Sequence, residues 1–314
     1  MTNALEIRGL TKRFAANVAV DDISFSVPEG SVFGFIGANG AGKTTTMKMI
    51  LGLLRADSGE VWVCSEKATF GATKTNRHVG YLPDVPAFYG YLRPLEYLRL
   101  CGEVVGLEKR ENARRAAELL QMVGLAGVHK KISSFSRGMR QRLGLAQALV
   151  NRPRLLICDE PTSALDPVGR KEVLDILAGI REQTTVLFST HILADVERVC
   201  DRVAVIDAGR IVLEGTLAEL KSRHRPDSLA IEFANTVDRD RFVALSGALW
   251  GEDRAADGLV LTLKAADVSE VQRQVLRILS ENDILPIRLE VLEPSVESLF
   301  LEAAATAAAA EVAE

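Results

Sequence analysis

Ser31-Val32-Phe33-Gly34-Phe35-Ile36-Gly37-Ala38-Asn39-Gly40-Ala41-Gly42-Lys43-Thr44 is the stretch that decides how this chain reads. Its first six residues form a short apolar run suited to a buried strand, and the residues from 43 to 54 carry the period of a helix. Between them, Gly37 to Thr44 fits the pattern G-x-x-x-x-G-K-[ST] in the strand–loop–helix context that it requires. Gly37, Gly40 and Gly42 let the backbone bend until successive N–H groups of the Gly37-Ala38-Asn39-Gly40-Ala41 loop face one phosphate. The helix that follows adds its positive end. Lys43 is long enough to reach β- and γ-phosphates, and the Thr44 hydroxyl suits Mg²⁺. The competing explanation is a glycine-rich turn followed by a surface lysine. It leaves the flanking strand and helix without a purpose.

Working outward, RLLICDE (154–160), TVLFST (185–190) and RVAVID (202–207) are further buried-strand runs, and alternation with helical patterns predicts a layered α/β domain. The first of these delivers Asp159 to the carboxyl end of its strand, where open α/β sheets bind ligands. Asp159 there is a candidate for Mg²⁺, and adjacent Glu160 is placed to polarise an attacking water. A buried strand that merely ends in an acidic turn is the plain alternative. LEIRGLTKRF and AVDDISFSV, before residue 28, read as an antiparallel sheet, and residues 92–150 are mainly helical. The charged, Pro-containing segment KSRHRPDSL (221–229) reads as a linker. Beyond it the sequence predicts strands at 229–233, 259–263 and 284–291, helices at 237–245 and 267–281, and a last short helix from Ser295. That unit carries no catalytic motif.

The whole chain sets bounds on these readings. It has 314 residues, 47% hydrophobic and 25% charged, enough for about two domains with a sizeable core. A formal net charge of −4 gives no basic field for nucleic acid, which is excluded as an expected partner. Cys64, Cys101, Cys158 and Cys200 are scattered without a Cys-x-x-Cys pair, so free thiols in a reducing compartment are expected rather than a disulfide or zinc framework. The N-terminus lacks the apolar core of a secretory signal, and no stretch approaches the roughly 18 apolar residues of a membrane span.

Phosphate loop and acidic strand are common to many nucleotide enzymes; the residues between them narrow the choice. Phe135-Ser136-Arg137-Gly138-Met139-Arg140-Gln141-Arg142 opens a helix upstream of Asp159 and resembles the signature motif of ABC ATPases, in the Ser-Arg-Gly-Met form of bacterial drug- and antibiotic-exporter subunits. Ser136 is a good N-cap, and with the Gly138 N–H and the helix dipole it forms an anion site. A plain capped helix with a basic first turn is the alternative. Ser163-Ala164-Leu165-Asp166 resembles the family's D-loop, and His191 in Ser-Thr-His resembles its switch histidine. Phe14 stands where an aromatic stacks on adenine, although an aromatic there could equally be core.

The resemblance spans roughly residues 4–220. It implies a P-loop ABC ATPase domain over 1–222 (a RecA-like core, an antiparallel β subdomain and a helical subdomain), with a small C-terminal α+β domain over 228–302 and an Ala-rich tail over 303–314. It implies ATP and Mg²⁺ as cofactors. Lys43, Glu160 and His191 would be catalytic. Nucleotide would be bound by Phe14, the loop from Gly37 through Thr45, Asp84, Ser136, Gly138 and Asp166; the metal would be held by Thr44, Asp84 and Asp159. It further implies closure with a second copy, or with a paralogous subunit, around two Mg-ATP, and a separate transmembrane permease gripped near residues 84–100, where PAFYGYL supplies apolar and aromatic contacts. The expected location is the cytoplasmic face of the cell membrane. Two positions depart from the family pattern: Asp84 replaces the usual glutamine after Gly80-Tyr81-Leu82-Pro83, and Arg137 replaces a glycine. The Glu293–Leu301 segment resembles the end of the accessory domain in exporter ATPases. An importer ATPase, a non-transport ABC protein in translation or repair, and a silent subunit that uses ATP only to dimerise are the other readings. The Ser-Arg-Gly-Met signature, the single set of motifs and the intact Lys43, Asp159, Glu160 and His191 weigh against them in turn.

Overall fold

The four apolar runs at 31–36, 154–160, 185–190 and 202–207 can hide both of their faces only inside a layered structure, and the fold provides those layers. The computed structural model describes residues 2–15, 17–72, 74–223, 228–250, 254–265 and 267–292. The chain separates into two compact units, dividing between Leu217 and Ala218.

The first unit opens with β1 (Asn3–Phe14) and β2 (Asn17–Pro28), paired antiparallel, followed by β3 (Val32–Ile36) and α1 (Lys43–Ile50). Next come β4 (Ser58–Val63), the two-residue β5 (Glu66–Lys67) and β6 (Val79–Leu82). Three helices follow, α2 (Pro94–Val104), α3 (Lys109–Met122) and α4 (Arg137–Ala148). The remainder alternates as β7 (Leu155–Cys158), α5 (Pro167–Gly179), β8 (Thr185–Thr190), α6 (Leu193–Val199), β9 (Arg202–Asp207) and β10 (Arg210–Thr216), and α7 (Leu217–Arg223) begins at the division between the units.

Two sheets result. The antiparallel one has the order β2-β1-β4-β5; the other has the order β10-β9-β3-β8-β7-β6 and is parallel except for its β10 edge. Alternate residues of the central strands serve opposite faces. Leu155 and Ile157 of β7 and Leu187 of β8 pack with Phe25, Phe33 and Phe35 under the antiparallel sheet. Leu156 and Cys158 of β7 and Val186 and Phe188 of β8 face the other way, into a core with Leu119, Leu143 and Leu177 of the helices. Both faces being buried is why these strands read as unbroken apolar runs.

The second unit is an antiparallel sheet of order β12-β13-β11-β14, built from β11 (Ser228–Phe233), β12 (Arg254–Asp257), β13 (Val260–Lys264) and β14 (Pro286–Leu292). α8 (Thr236–Trp250) and α9 (Val268–Glu281) complete it. Buried Val268, Val271, Val275 and Leu279 fall at helical spacing along α9, beside Ile231, Phe233 and Phe242.

The mixed α/β class and the two strands at 185–190 and 202–207 agree with the sequence. Several details do not. α1 ends at Ile50 instead of 54, because Gly52 turns into the left-handed region and the Leu53 and Leu54 amides fold back onto the Lys48 carbonyl. The strand expected over 154–160 is only Leu155–Cys158, since Asp159 and Glu160 already belong to the turn. α8 runs to Trp250, past the expected end at 245. β4, β5, β6 and β12 had no clear signal of their own. The helix expected from Ser295, the Glu293–Leu301 resemblance and the Ala-rich tail lie outside the described residues.

All four cysteines are free, and burial pushes the Cys158 and Cys200 thiols up and out of reactive range. Among the described residues, no helix is long and apolar enough to cross a membrane.

Candidate functional site

β3, β8 and β7 are neighbours in the parallel sheet, so their carboxyl ends deliver three loops to one place. The loop after β3 turns at Gly42, whose φ of 109° lies in the left-handed region. A Cβ there would stand 2.5 Å from the Ala19 carbonyl oxygen, and one on Gly37 would stand 2.4 Å from that of Ile206. Only glycine passes between these walls. Gly42 is also the N-cap of α1 and supplies no side-chain cap. The first amides of α1 are therefore left for an external acceptor, as a phosphate site requires.

Lys43, only 6% exposed, donates to the carbonyls of Gly37 (2.7 Å) and Ala38 (3.1 Å) and pairs with Glu160 Oε1 at 3.1 Å. Thr44 Oγ1 donates to Asp159 Oδ2 at 2.7 Å. Ser189, fully buried at the end of β8, donates to Asp159 Oδ1 at 2.7 Å, and its oxygen accepts the Glu160 amide at 2.9 Å. One hydroxyl thus fixes both acids. Glu160 itself adopts φ 49°, a strained conformation for a non-glycine residue, and His191 Nδ1 lies 2.9 Å from its Oε2.

These groups surround a cavity of about 390 Å³ lined by Asn39, Gly40, Gly42, Lys43, Thr44, Thr45, Asp84, Glu160, Ser163 and His191. Among the described residues, no group of three or more His, Cys, Asp or Glu is arranged to hold a metal alone. Thr44 with Asp159 offers a hydroxyl and a carboxylate, the sparse oxygen set that suits Mg²⁺ bound jointly with phosphates and water. Asp84 enters from the loop after β6. Burial raises its carboxyl, the Arg137 guanidinium opposes that rise, and the charges of Asp159 and Glu160 add to it.

Several expected residues do not line this cavity. Phe14, at the end of β1, is 46% exposed with Lys12 Nζ over its ring at 5.3 Å. Ser136 caps α4 by accepting from the Met139 amide at 3.2 Å, and Gly138 sits in the first turn of that helix. Asp166 caps α5 by accepting from the Gly169 amide at 3.0 Å. Ser189 was not singled out by the sequence, and Ser163 was read only as part of the D-loop resemblance; the one trace of Ser189 is a hydroxyl near the end of a strand whose middle is apolar.

Residues 20–163 match the family described as ABC transporter. The linearmycin resistance ATP-binding protein LnrL of Bacillus subtilis is 35% identical over 301 residues, which is 95% of this chain and 97% of that protein. The bacitracin transport ATP-binding protein BcrA of Bacillus licheniformis is 33% identical over 308 residues, 96% and 97% of the two chains. The chain belongs to the ABC transporter ATP-binding proteins. Its activity is that family's ATPase activity. A solved dimeric ATP-binding cassette, in a post-hydrolysis state with ADP and Pi, aligns with a TM-score of 0.59 at 25% identity. That alignment covers 68% of this chain and 98% of the other.

Proposed function

We propose that this ABC subunit drives export, closing with a second copy or a paralogous subunit around two Mg-ATP on the cytoplasmic face of a membrane that holds a separate permease. The observation that carries the export reading is the near end-to-end match to proteins named for bacitracin transport and linearmycin resistance. At 95–96% of this chain the match must take in most of the second unit, and we assign residues 228–302 as an accessory domain appended to an ATPase domain over 1–222.

In this reading the Gly37–Thr45 loop and Lys43 hold the phosphates, and Thr44 and Asp159 hold Mg²⁺, which when bound neutralises phosphate charge. Glu160 accepts the proton of an attacking water, and His191 fixes the orientation of that carboxylate. Ser136, Gly138 and Asp166 stand on α4 and at the start of α5, outside the cavity of their own chain, which fits a role against the nucleotide of a partner copy. Phe14, exposed at a strand end, is free to stack on an adenine. Because Ser136 and its helix complete an anion site only where a γ-phosphate is offered, ATP and not ADP would favour the closed pair. The permease contact is assigned to the exposed Val85, Tyr89 and Tyr91, of which Tyr89 lines a cavity of about 440 Å³ together with Tyr97, Leu100 and Val104.

The test is ATPase rate against protein concentration together with size-exclusion chromatography in Mg-ATP. Glu160→Gln should slow hydrolysis by about 100-fold or more and run as a dimer in ATP but not in ADP. A mutant that stays monomeric in ATP, alone and with the co-expressed permease, would sink the closure mechanism.

A further inference from the structure

The two positions that depart from the family pattern meet in space. Arg137 Nη2, in the first turn of α4, lies 3.7 Å from Asp84 Oδ1, and both side chains are about half exposed. The contact is not isolated. One turn further along α4, the fully buried Gln141 donates through Nε2 to the Asp84 carbonyl at 3.0 Å. α4 therefore holds the main chain of residue 84 with one side chain and its carboxylate with another. Asp84 Oδ1 is shielded from solvent and accepts no hydrogen bond among the described residues, so the guanidinium is its principal compensation.

Asp84 lines the cavity beside Glu160, with Asp159 close enough to act on it electrostatically. A third carboxylate at the rim of a phosphate site repels the ligand that the site is made for. A neutral amide at that position would need no counter-charge, and a glycine at 137 could supply none. The substitutions make sense together and not singly.

We infer that Arg137 is a positioning residue for its own chain's nucleotide site, acting through Asp84: it supplies the counter-charge that lets a carboxylate stand beside the phosphates, and it anchors that carboxylate to the first turn of α4. The inference rests on the nucleotide reading of the Gly37–Thr45 loop, and it assigns Arg137 a task inside one chain, separate from any contact with a partner copy. It also gives a direct intrachain route by which a change at the phosphate rim is felt at the start of α4.

The experiment is a double-mutant cycle on the full chain, read as the equilibrium binding of a fluorescent ATP analogue in EDTA, so that Asp84 acts only as a charge and no turnover is involved. Arg137→Gln should weaken binding about three- to fivefold, the range that a partly exposed charge pair carries. In an Asp84→Asn background the same substitution should cost less than about twofold, and Arg137→Lys in the native background should stay within about twofold of wild type. Equal losses in both backgrounds would mean that Arg137 meets the phosphates itself, and would overturn the inference; so would no loss in either. Lys43→Ala run alongside separates the premise: if binding survives it, the nucleotide reading of the loop fails, whereas its loss together with an additive cycle condemns the pair alone. Melting temperatures of all variants confirm that folded proteins are being compared.

Discussion

Gly42 and Gly138 both belong to motifs that we propose bind phosphate, yet the structure asks different things of them. Gly42 has a left-handed backbone and a carbonyl wall where its Cβ would go, whereas Gly138 lies in an ordinary helical turn with nothing within 4 Å of the Cβ position. Gly42→Ala should therefore destabilise the ATPase unit by about 2–4 kcal/mol in chemical denaturation and abolish nucleotide binding with it. Gly138→Ala should leave the melting temperature within about 2 °C while weakening ATP-dependent self-association, because only a ligand-facing role would be lost. Unchanged association in that variant would remove Gly138 from the proposed anion site. At this scale the sequence was most legible where chemistry forces a residue type. Lys43, Thr44, Asp159, Glu160 and His191 are drawn from the few side-chain types that the proposed chemistry admits, and the structure does bring them together. Ser189 was not legible, since a serine at the end of a strand has many ordinary uses and its role exists only through contacts with residues 30 and 29 positions away.

Between elements, one buried carboxylate ties three of them together. Asp195 of α6 is 1% exposed; it accepts from Thr162 Oγ1 at 2.6 Å and is ion-paired with Arg170 of α5. It thereby links the segment that follows Glu160 to the helix that follows His191. Asp195→Ala leaves a buried hydroxyl and a half-buried guanidinium without their acceptor, which should cost about 2–4 kcal/mol by urea denaturation. If the loops are held in register through this acid, kcat should also fall although no ligand contact is removed; a loss of stability at normal kcat would confine Asp195 to packing. Elements with a strong period and length, such as β8, β9 and α9, were readable because both burial and spacing speak for them. β4 and β6 were not, because each is short and owes its existence to a partner strand far along the chain, and β12 was not, because its four residues form an edge strand held only by the β13 that follows it. The Asp84–Arg137 pair shows the same limit: the sequence displays two odd residues of opposite sign, and only the tertiary fold reveals that they answer each other.

As a whole, the molecule has two units with their own cores. Phe242 is fully buried in the second, against Phe233 at 5.5 Å between ring centroids. Phe242→Ala should lower the stability of that unit by about 3–5 kcal/mol. Calorimetry should then show a shifted second-unit transition while nucleotide affinity, read separately, is unchanged. A parallel loss of affinity would mean that the accessory unit supports the ATPase site and is not simply appended to it. The general plan of a layered α/β unit followed by a smaller α+β unit was legible from the alternation of apolar runs, whereas the ATPase reading came from the motifs. How the smaller unit forms its sheet was not, since its edge strand β12 carries no pattern of its own. The parallel arrangement has a further practical meaning. β3, β7 and β8 all point their chemistry toward one rim, so the opposite rim, where the exposed Arg181-Glu182-Gln183 turn leads into β8, carries none of it. An investigator wishing to follow this protein by light in a living cell has there a place to splice in a reporter, a full strand length away from the chemistry being watched.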